Sequence, residues 1–288
     1  MTLIEDEPTT GWYNPALYAN VSDLSASLNF MTYAAGSTWM GAHFVKAFGE
    51  RHTMAVGAQY MNYGKMDETD EAGNTLGQFS AKDIVIGAGY SYLLSDRWTG
   101  GANLKMMVSN LADYTALAAA IDVGVNYYDD ENDLSVSASL QNIGTQLKAY
   151  HDGQRTHLPF TLALGFSKGM AHLPVRFHVT MTDVTRWKSS YYVLPENKDK
   201  DKSDKVGFGK KALNHFVLGL DILPTDYLYL SVGYNFRRAY ELKASGSSHL
   251  AGLSAGAGVN VKHFKFGVSY AKYHQASNSI MANVGYAF

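Results

Sequence analysis

Residues 175–182 read Val-Arg-Phe-His-Val-Thr-Met-Thr, and this stretch sets the fold class for the chain. Its odd-numbered residues are all apolar, whereas its even-numbered residues are all charged or polar. Successive side chains of a strand point to opposite faces, so an alternation of period two predicts a β-strand with one apolar face. The same alternation recurs along the chain, for instance in residues 160–166 and 216–222.

The alternation predicts about 14 strands, most of them longer than those of ordinary domains. They cover residues 24–30, 38–48, 52–63, 79–93, 98–111, 114–128, 134–143, 159–168, 175–184, 213–223, 227–237, 249–261, 264–273 and 279–288. Strands of globular proteins peak near 5 or 6 residues, whereas a tilted strand needs about 9 to 11 residues to cross a bilayer. Strand length therefore favours a membrane-spanning sheet with its apolar faces toward lipid.

Short and long connections tend to alternate between these strands. Short connections cover residues 49–51, 95–97, 129–133, 169–173, 224–226 and 262–263, and long ones cover 64–78, 144–158, 185–212 and 238–248. Three connections of the long set, near Gly36, Ala112 and Gln275, are short. This layout is typical of an antiparallel up-and-down outer-membrane β-barrel with short periplasmic turns. A soluble β-sandwich or lectin would use the same alternation with its apolar faces inside.

Composition excludes several classes of function. The chain has no Cys, which excludes disulfides, thiol catalysis and Cys-based zinc sites. Its net charge of −2 gives no electrostatic basis for binding nucleic acid. The sequence has no stretch of 18 apolar residues, so it predicts no transmembrane helix. The acidic residues 1–10 do not resemble a signal peptide.

We therefore expect two regions. Residues 1–23 would form an N-terminal periplasmic or lumen segment, preceded by further residues and a signal peptide upstream of Met1, and residues 24–288 would form the outer-membrane barrel. The final strand alternates apolar residues and ends on Phe288, as barrel assembly signals do. The assembly signal is assigned to Val284, Tyr286 and Phe288.

No motif predicts catalysis, a metal or a cofactor. The His residues lack metal-ligand spacing, and neither a G-x-S-x-G elbow nor a P-loop occurs. The acidic residues of 64–80 lack the spacing of an EF-hand loop, so we interpret that segment as a solvated loop. The mixed charge run 196–205 also reads as a solvated loop, and loops on a rigid scaffold often bind partners. Candidate partner-binding residues in the loops are Lys198, Lys200, Lys202, Lys205, Lys210, Tyr150, Asp152, Asp67 and Glu68.

Several strand residues carry a prediction about the barrel interior. Lys105, Asp122, Arg176 and Asp221 lie on polar faces, so a barrel would point them inward, where they should pair or meet water. Asp183 falls in an apolar register instead. Gly256 and Gly258 lie within a strand, where small residues would let the wall bend or an inner plug approach closely.

A short N-terminal motif and several longer stretches resemble known families. Asn14-Pro15-Ala16 resembles the entry segment of FadL-like outer-membrane proteins. The longer stretches are Tyr63-Gly64-Lys65-Met66, Glu68-Thr69-Asp70, Phe79-Ser80-Ala81-Lys82-Asp83, Leu147-Lys148-Ala149-Tyr150, Val232-Gly233-Tyr234-Asn235-Phe236-Arg237-Arg238-Ala239, Gly246-Ser247-Ser248-His249 and Ala251-Gly252-Leu253-Ser254. They resemble the PorV/PorQ family of the type IX secretion system, and the likeness runs over residues 14–288.

This resemblance implies a 14-stranded FadL-like barrel that is not an enzyme. It implies that the barrel sits among outer-membrane lipid and anchors a surface protein of the attachment complex, a PorZ-like partner. No catalytic residue and no cofactor follows from it. The alternative is a FadL-like transporter of hydrophobic small molecules, which would need an apolar cavity in the lumen and a lateral opening.

Overall fold

The structure, a computed structural model, describes residues 6–150, 157–187, 207–241, 251–274 and 277–288. Within these residues, 14 antiparallel strands form one closed barrel in which each strand pairs with its neighbours in the chain and β1 pairs with β14. The strands are β1 (Ser25–Thr32), β2 (Thr38–Phe48), β3 (His52–Thr69), β4 (Thr75–Leu93), β5 (Trp98–Leu111), β6 (Tyr114–Asp129), β7 (Leu134–Lys148), β8 (Thr161–Gly169), β9 (Val175–Met181), β10 (Phe216–Thr225), β11 (Leu228–Asn235), β12 (Leu253–Val261), β13 (Phe264–His274) and β14 (Ser277–Ala287).

Short helical segments accompany the barrel. They are α1 (Thr10–Tyr13), α2 (Phe208–Asn214), α3 (Phe236–Glu241) and two 3₁₀ helices, Pro15–Asn20 and Ala34–Gly36. No helix in the described part of the chain is long and apolar enough to cross a membrane. The 14-stranded antiparallel barrel confirms the fold class predicted from the alternation.

Most strand bounds agree with the sequence prediction, and β2 and β5 agree at both ends. The largest error concerns residues 64–78, which were predicted to be a loop. They instead extend β3 and β4 into a long hairpin, closed by a turn in which Asp70 accepts hydrogen bonds from the N–H groups of Ala72 and Asn74. Polar residues on both faces suggested a loop, but a hairpin that projects beyond the apolar belt meets water on both faces.

The outer wall is apolar, as the alternation predicted. Phe160, Phe177 and Leu218, whose burial in a dry interior would have contradicted a barrel, are 38%, 45% and 41% exposed on the outside. A soluble sandwich would bury these side chains between two sheets. The exposed apolar faces therefore identify the wall as a lipid-facing surface.

A polar row and an aromatic girdle mark the two edges of this apolar belt. At one edge, neighbouring strands place polar residues side by side in register: Thr32, Thr38, Asn62, Lys82, Asn110 and Thr115. At the other edge the exposed aromatic side chains include Tyr90, Trp98 and Phe264. On β4 the belt runs from Ile84 to the aromatic edge, about 20 Å for tilted strands and close to the apolar band of outer-membrane barrels.

The connections fall on two rims, which we name by their loops. The short rim holds the turns 49–51, 94–97, 130–133, 170–174, 226–227 and 262–263 together with the ends of β1 and β14 that lie nearest the chain termini. The long rim holds the β7–β8, β9–β10 and β11–β12 connections, the β3–β4 hairpin and three short connections.

The belt predicts how the barrel responds to charge on its outer face. Leu104 is 57% exposed in the middle of the belt, whereas Asn110 lies in the polar row of the same strand. We expect Leu104→Arg to cost about 2–4 kcal/mol of folding free energy in a bilayer and Asn110→Arg about 0–1 kcal/mol. Urea titration of folding into lipid vesicles measures both. Equal costs at the two positions would contradict the lipid-facing assignment.

Candidate functional site

The N-terminal residues 6–20, here called the plug, lie inside the barrel. Within them, Asn14 is fully buried and its Oδ1 accepts a hydrogen bond of 3.2 Å from the N–H of Ala16. Pro15 occupies the first position of the 3₁₀ helix Pro15–Asn20, where its missing N–H leaves no donor unsatisfied. The Asn-Pro-Ala motif thus caps and starts the 3₁₀ helix that lies inside the lumen.

The plug contacts the wall at glycine positions. A Cβ built on Gly101 would lie 2.5 Å from the backbone carbon of Pro15, and one on Gly124 would lie 2.0 Å from Asn14 Oδ1. Any larger residue at these two wall positions would therefore overlap the plug. These glycines are where β5 and β6 let the Asn-Pro-Ala motif rest on the backbone of the wall.

Tyr18 of the plug is 1% exposed and is packed on both faces of its ring. Its ring lies between Gly11 of the plug and Gly89 of β4, because a Cβ on either glycine would fall within 2.3 Å of the ring. Burial raises the pKa of the Tyr18 phenol well above its ordinary value, and the nearby charge of Asp122 raises it further. The phenol therefore stays neutral, and Tyr18 acts as packing rather than as an acid.

A buried ion pair of the wall contacts the plug. Lys105 Nζ lies 2.5 Å from Asp122 Oδ2, and the two side chains are 11% and 0% exposed. Lys105 Nζ also donates to the carbonyl of Trp12 at 2.8 Å and lies 4.6 Å from the centre of its ring. The same ammonium thus satisfies a wall carboxylate and a plug carbonyl, which fixes the plug to β5 and β6.

A bulge between β6 and β7 supplies the other partner of this carboxylate. The register shifts between Ile121 and Val123, and Asn142 adopts a positive φ of 59°. The N–H of Asn142 donates to Asp122 Oδ1 at 2.8 Å. The irregular backbone therefore releases one N–H from the ladder and uses it to stabilise the buried charge.

The opposite side of the lumen, along β9 to β13, contains open space. One cavity of about 350 Å³ is lined by residues that include His178, Thr180 and Asp221, and a second of about 290 Å³ lies against Glu7 and Asn283. His178 Nε2 lies 2.5 Å from Asp221 Oδ2, and Ser231 donates to Asp221 Oδ1 at 2.6 Å. This side of the lumen therefore contains open space in which a few polar groups, such as Asp221, lie beside apolar surface.

The four inward charges predicted from the sequence all have partners. Lys105 pairs with Asp122, Asp221 contacts His178, and Arg176 pairs with Asp133 at 3.1 Å. For Gly258 of β12, the sequence predicted either a bend of the wall or a close approach of the plug. The atoms nearest to a Cβ at this position do not belong to the plug. A Cβ there would instead meet the Tyr229 ring of β11 at 2.3 Å, so an inward aromatic residue explains this glycine.

Residues 183–187, α2 and α3 form a structured surface on the long rim near β9 to β11, here called the cap. Trp187 stacks on Phe208 of α2 with ring centres 5.7 Å apart and contacts His215 with ring centres 4.4 Å apart. Asp183 forms an ion pair of 2.8 Å with Arg237 of α3. Asp183 follows the end of β9, so its apolar register does not place it in the belt.

The candidate partner-binding residues do not form one cluster in the described structure. Lys210 is exposed on α2, and its Nζ lies 4.0 Å from the centre of the Tyr240 ring. Tyr150 is half-buried and its hydroxyl donates to Ser109. Lys198, Lys200, Lys202, Lys205 and Asp152 lie outside the described residues.

Asp67 and Glu68 require a correction, because they lie in β3 and not in a loop. Asp67 accepts a hydrogen bond of 2.9 Å from Gln78 across the hairpin. In the closed order of 14 strands, β3 lies on the opposite side of the barrel from α2, which precedes β10. The acidic hairpin and the basic cap are therefore separate surfaces.

The assigned assembly signal lies at the seam that closes the barrel. Val284 and Tyr286 pair in register with Leu28 and Ala26 of β1. Phe288 is 70% exposed and packs edge to face on Tyr286 with ring centres 4.7 Å apart. These positions are accessible from the lipid side, and the recognition of this strand by an assembly factor stays a prediction.

Comparison with known proteins shows the fold and not the family. No protein-family model matches the sequence, and no curated protein matches it significantly. Among solved structures, the Pseudomonas putida toluene transporter TodX has a TM-score of 0.59 at 12% identity, with 95% of this chain and 91% of that chain covered. A Pseudomonas aeruginosa FadL homologue has a TM-score of 0.58 at 10% identity, with coverages of 99% and 95%. The CymD monoaromatic hydrocarbon channel has a TM-score of 0.57 at 13% identity, with coverages of 98% and 93%. The chain thus has a FadL-like barrel fold.

The sequence did not reveal the aromatic residues that pack in the plug and in the cap. Trp12, Tyr18, Trp187 and Phe208 stand in segments with no periodic pattern, so no pattern assigned them a place. The Asn-Pro-Ala motif was the only signal for the plug, through its resemblance. The described residues do not bring three or more His, Asp or Glu side chains together as a metal site would.

The ion pair predicts a stability defect that a second substitution relieves. Lys105→Met leaves Asp122 as an unpaired buried charge, which we expect to cost about 3–5 kcal/mol. Lys105→Met combined with Asp122→Asn removes the charge and should recover most of that loss. Urea unfolding followed by Trp fluorescence compares the two variants. A double variant no more stable than the single one would show that the pair does not hold the plug.

Two adjacent glycines offer a matched test of the plug contact. A Cβ on Gly100 faces outward and meets only the Leu94 side chain, at 3.4 Å, whereas a Cβ on Gly101 meets the Pro15 backbone. We expect Gly101→Ala to cost about 1–3 kcal/mol by overpacking and to expose the plug to protease. Gly100→Ala should leave both properties unchanged. Equal protease resistance in the two variants would show that the plug does not contact the wall at Gly101.

Proposed function

We propose that this protein is a non-enzymatic outer-membrane barrel that anchors a surface partner of the type IX secretion attachment complex, a PorZ-like protein. The observation that carries the proposal is the cap on the long rim. Phe208 and Leu213 of α2 are 76% and 51% exposed there, at a rim that the belt places in water. Exposed apolar side chains on a structured, water-facing surface typically mark a protein contact.

The organisation of the barrel supports an anchoring role. The plug is attached to β5 by hydrogen bonds from Lys105 Nζ to the carbonyl of Trp12 at 2.8 Å and from Asn103 Nδ2 to the carbonyl of Gly11 at 3.0 Å. An anchor needs a rigid wall and a defined outer surface, and both are present here. The cap also carries basic side chains, since Lys210 and Lys211 follow Phe208.

The second candidate is a transporter of hydrophobic small molecules. The fold favours it, because the similar solved structures include a toluene transporter and a monoaromatic hydrocarbon channel. The lumen favours it less. Apolar side chains such as Tyr229 and Met281 line its cavities, but Asp221, Glu7 and several hydroxyl and amide groups do so too, and an apolar solute would remove water from these polar groups.

Substitutions on the cap test the anchoring role. We expect Phe208→Ser with Leu213→Ser to weaken retention of the surface partner at least about tenfold, as the loss of an interface anchor does. Leu76→Ser is the matched control, since Leu76 is 68% exposed on the β4 hairpin across the barrel. Co-purification with the tagged full chain in mild detergent measures retention. Deletion of residues 195–211 should give the same loss.

The outcomes separate the two candidates. Full retention of the partner by the cap variants would contradict the anchoring proposal. Uptake of toluene by cells that depends on this barrel, with no partner recovered from the membrane, would favour the transporter instead.

A further inference from the structure

Small residues form much of the lumen wall on the side away from the 3₁₀ helix Pro15–Asn20. Two adjacent inward rows cross β9 to β13 in register. One begins with His178, the other with Arg176 and Asp221, and beyond these residues they contain only Gly, Ser and Ala up to β13. The rows comprise Gly219, Gly233, Ser254 and Ala271, and Ser231, Gly256 and Ser269. Because the two rows carry no side chain larger than Ala or Ser on β11 to β13, the wall leaves a recess beside the plug, and the inward Tyr229 ring lines part of it.

The recess is continuous across both cavities. The cavity of about 350 Å³ near His178 and the cavity of about 290 Å³ near the plug share Ser231, Gly256 and Ser269 as lining residues. The packing of the 3₁₀ helix Pro15–Asn20 is concentrated on β3 to β6. The plug therefore occupies one side of the lumen and leaves a path along the other.

The ionised carboxylates that line the two cavities give the recess a negative charge. The charged side chains among the described residues that line the two cavities are Glu7 and Asp221, with His178 beside the latter. Neither Lys nor Arg lines either cavity in the part of the chain that the structure describes. The nearest basic groups are engaged elsewhere: Arg176 pairs with Asp133 and Lys265 with Asp6. Carboxylates that line a lumen path attract cations and repel anions.

We propose that this recess is a hydrated, cation-preferring passage for small hydrophilic solutes that runs beside the plug. The hydroxyl groups of Ser231, Ser254 and Ser269 replace part of the solute's hydration shell, and Asp221 and Glu7 set the charge preference. This function needs only the barrel and its plug, and does not depend on the surface partner.

Single-cysteine labelling tests the passage in the full chain, which contains no native Cys. Ser269→Cys places a thiol in the recess, and Tyr270→Cys places one on the neighbouring outward position, which is 42% exposed on the lipid side. Planar bilayers with KCl on both sides report conductance. We expect a trimethylammonium-ethyl thiosulfonate reagent to reduce the conductance of Ser269→Cys at least severalfold and a sulfonato-ethyl reagent to react more slowly. Tyr270→Cys should show no change with either reagent.

The charge assignment has its own test in a KCl gradient. The unsubstituted barrel should give a reversal potential on the cation-selective side, and Asp221→Asn should shift that potential toward zero. Asp113→Asn removes the same charge from the exposed β5–β6 turn and should leave the potential unchanged. Heat-modifiable migration verifies that each variant is folded before it is measured.

Three results would overturn the proposal. They are a folded barrel with no conductance above that of the empty bilayer, a conductance that thiol reagents at Ser269→Cys leave unchanged, and a reversal potential that Asp221→Asn does not move. None of these results depends on partner retention. The conductance measurements therefore test the passage, and co-purification separately tests the anchoring role.

Discussion

The structure depends on one constraint: in hydrocarbon, every backbone N–H and C=O of the wall must find its partner within the protein. The 14 strands meet it by closing into a ring, with β1 paired to β14. Closure in lipid also reverses the usual arrangement of polarity. The apolar face of each strand looks outward, so the interior contains the Ser, Asn, His and Asp side chains that a soluble protein would place at its surface.

A polar interior determines how the plug is held. Hydrophobic burial alone cannot fix a segment against a wall of Gly, Ser and Asn, so specific contacts must do so. The Lys105–Asp122 pair, the Asn142 N–H at the bulge and the hydrogen bonds from Asn103 supply them. Glycines such as Gly101 bring the backbones close enough for these contacts to form. The 3₁₀ helix Pro15–Asn20 thereby closes one side of the lumen, and cavities remain on the other side, where Gly, Ala and Ser form much of the wall.

The sequence predicted the wall far better than the contents of the lumen. Alternation is a local property, so the bounds of β2 and β5 could be read directly, and the outward position of Phe177 followed from its register. The β3–β4 extension was missed because residues that face water on both sides carry no alternation. Lys105 and Asp221 were correctly placed inside, but their partners depend on the register between strands. His178 and Asp221 are 43 residues apart in the chain, and only strand pairing brings them together.

The division of the lumen bears on which solutes the barrel can accept. A hydrocarbon entering the recess would displace water from Asp221, His178 and Ser231, which bond to one another, and would offer no hydrogen bonds in place of that water, so it would have to offset the cost of desolvating them. That penalty would have to be met by apolar contacts, and Gly219, Gly233 and Gly256 offer little apolar surface. A FadL-like wall can therefore surround a lumen whose chemistry differs from that of a hydrocarbon channel. The fold fixes the number of strands and the position of the plug, and the inward side chains decide what passes.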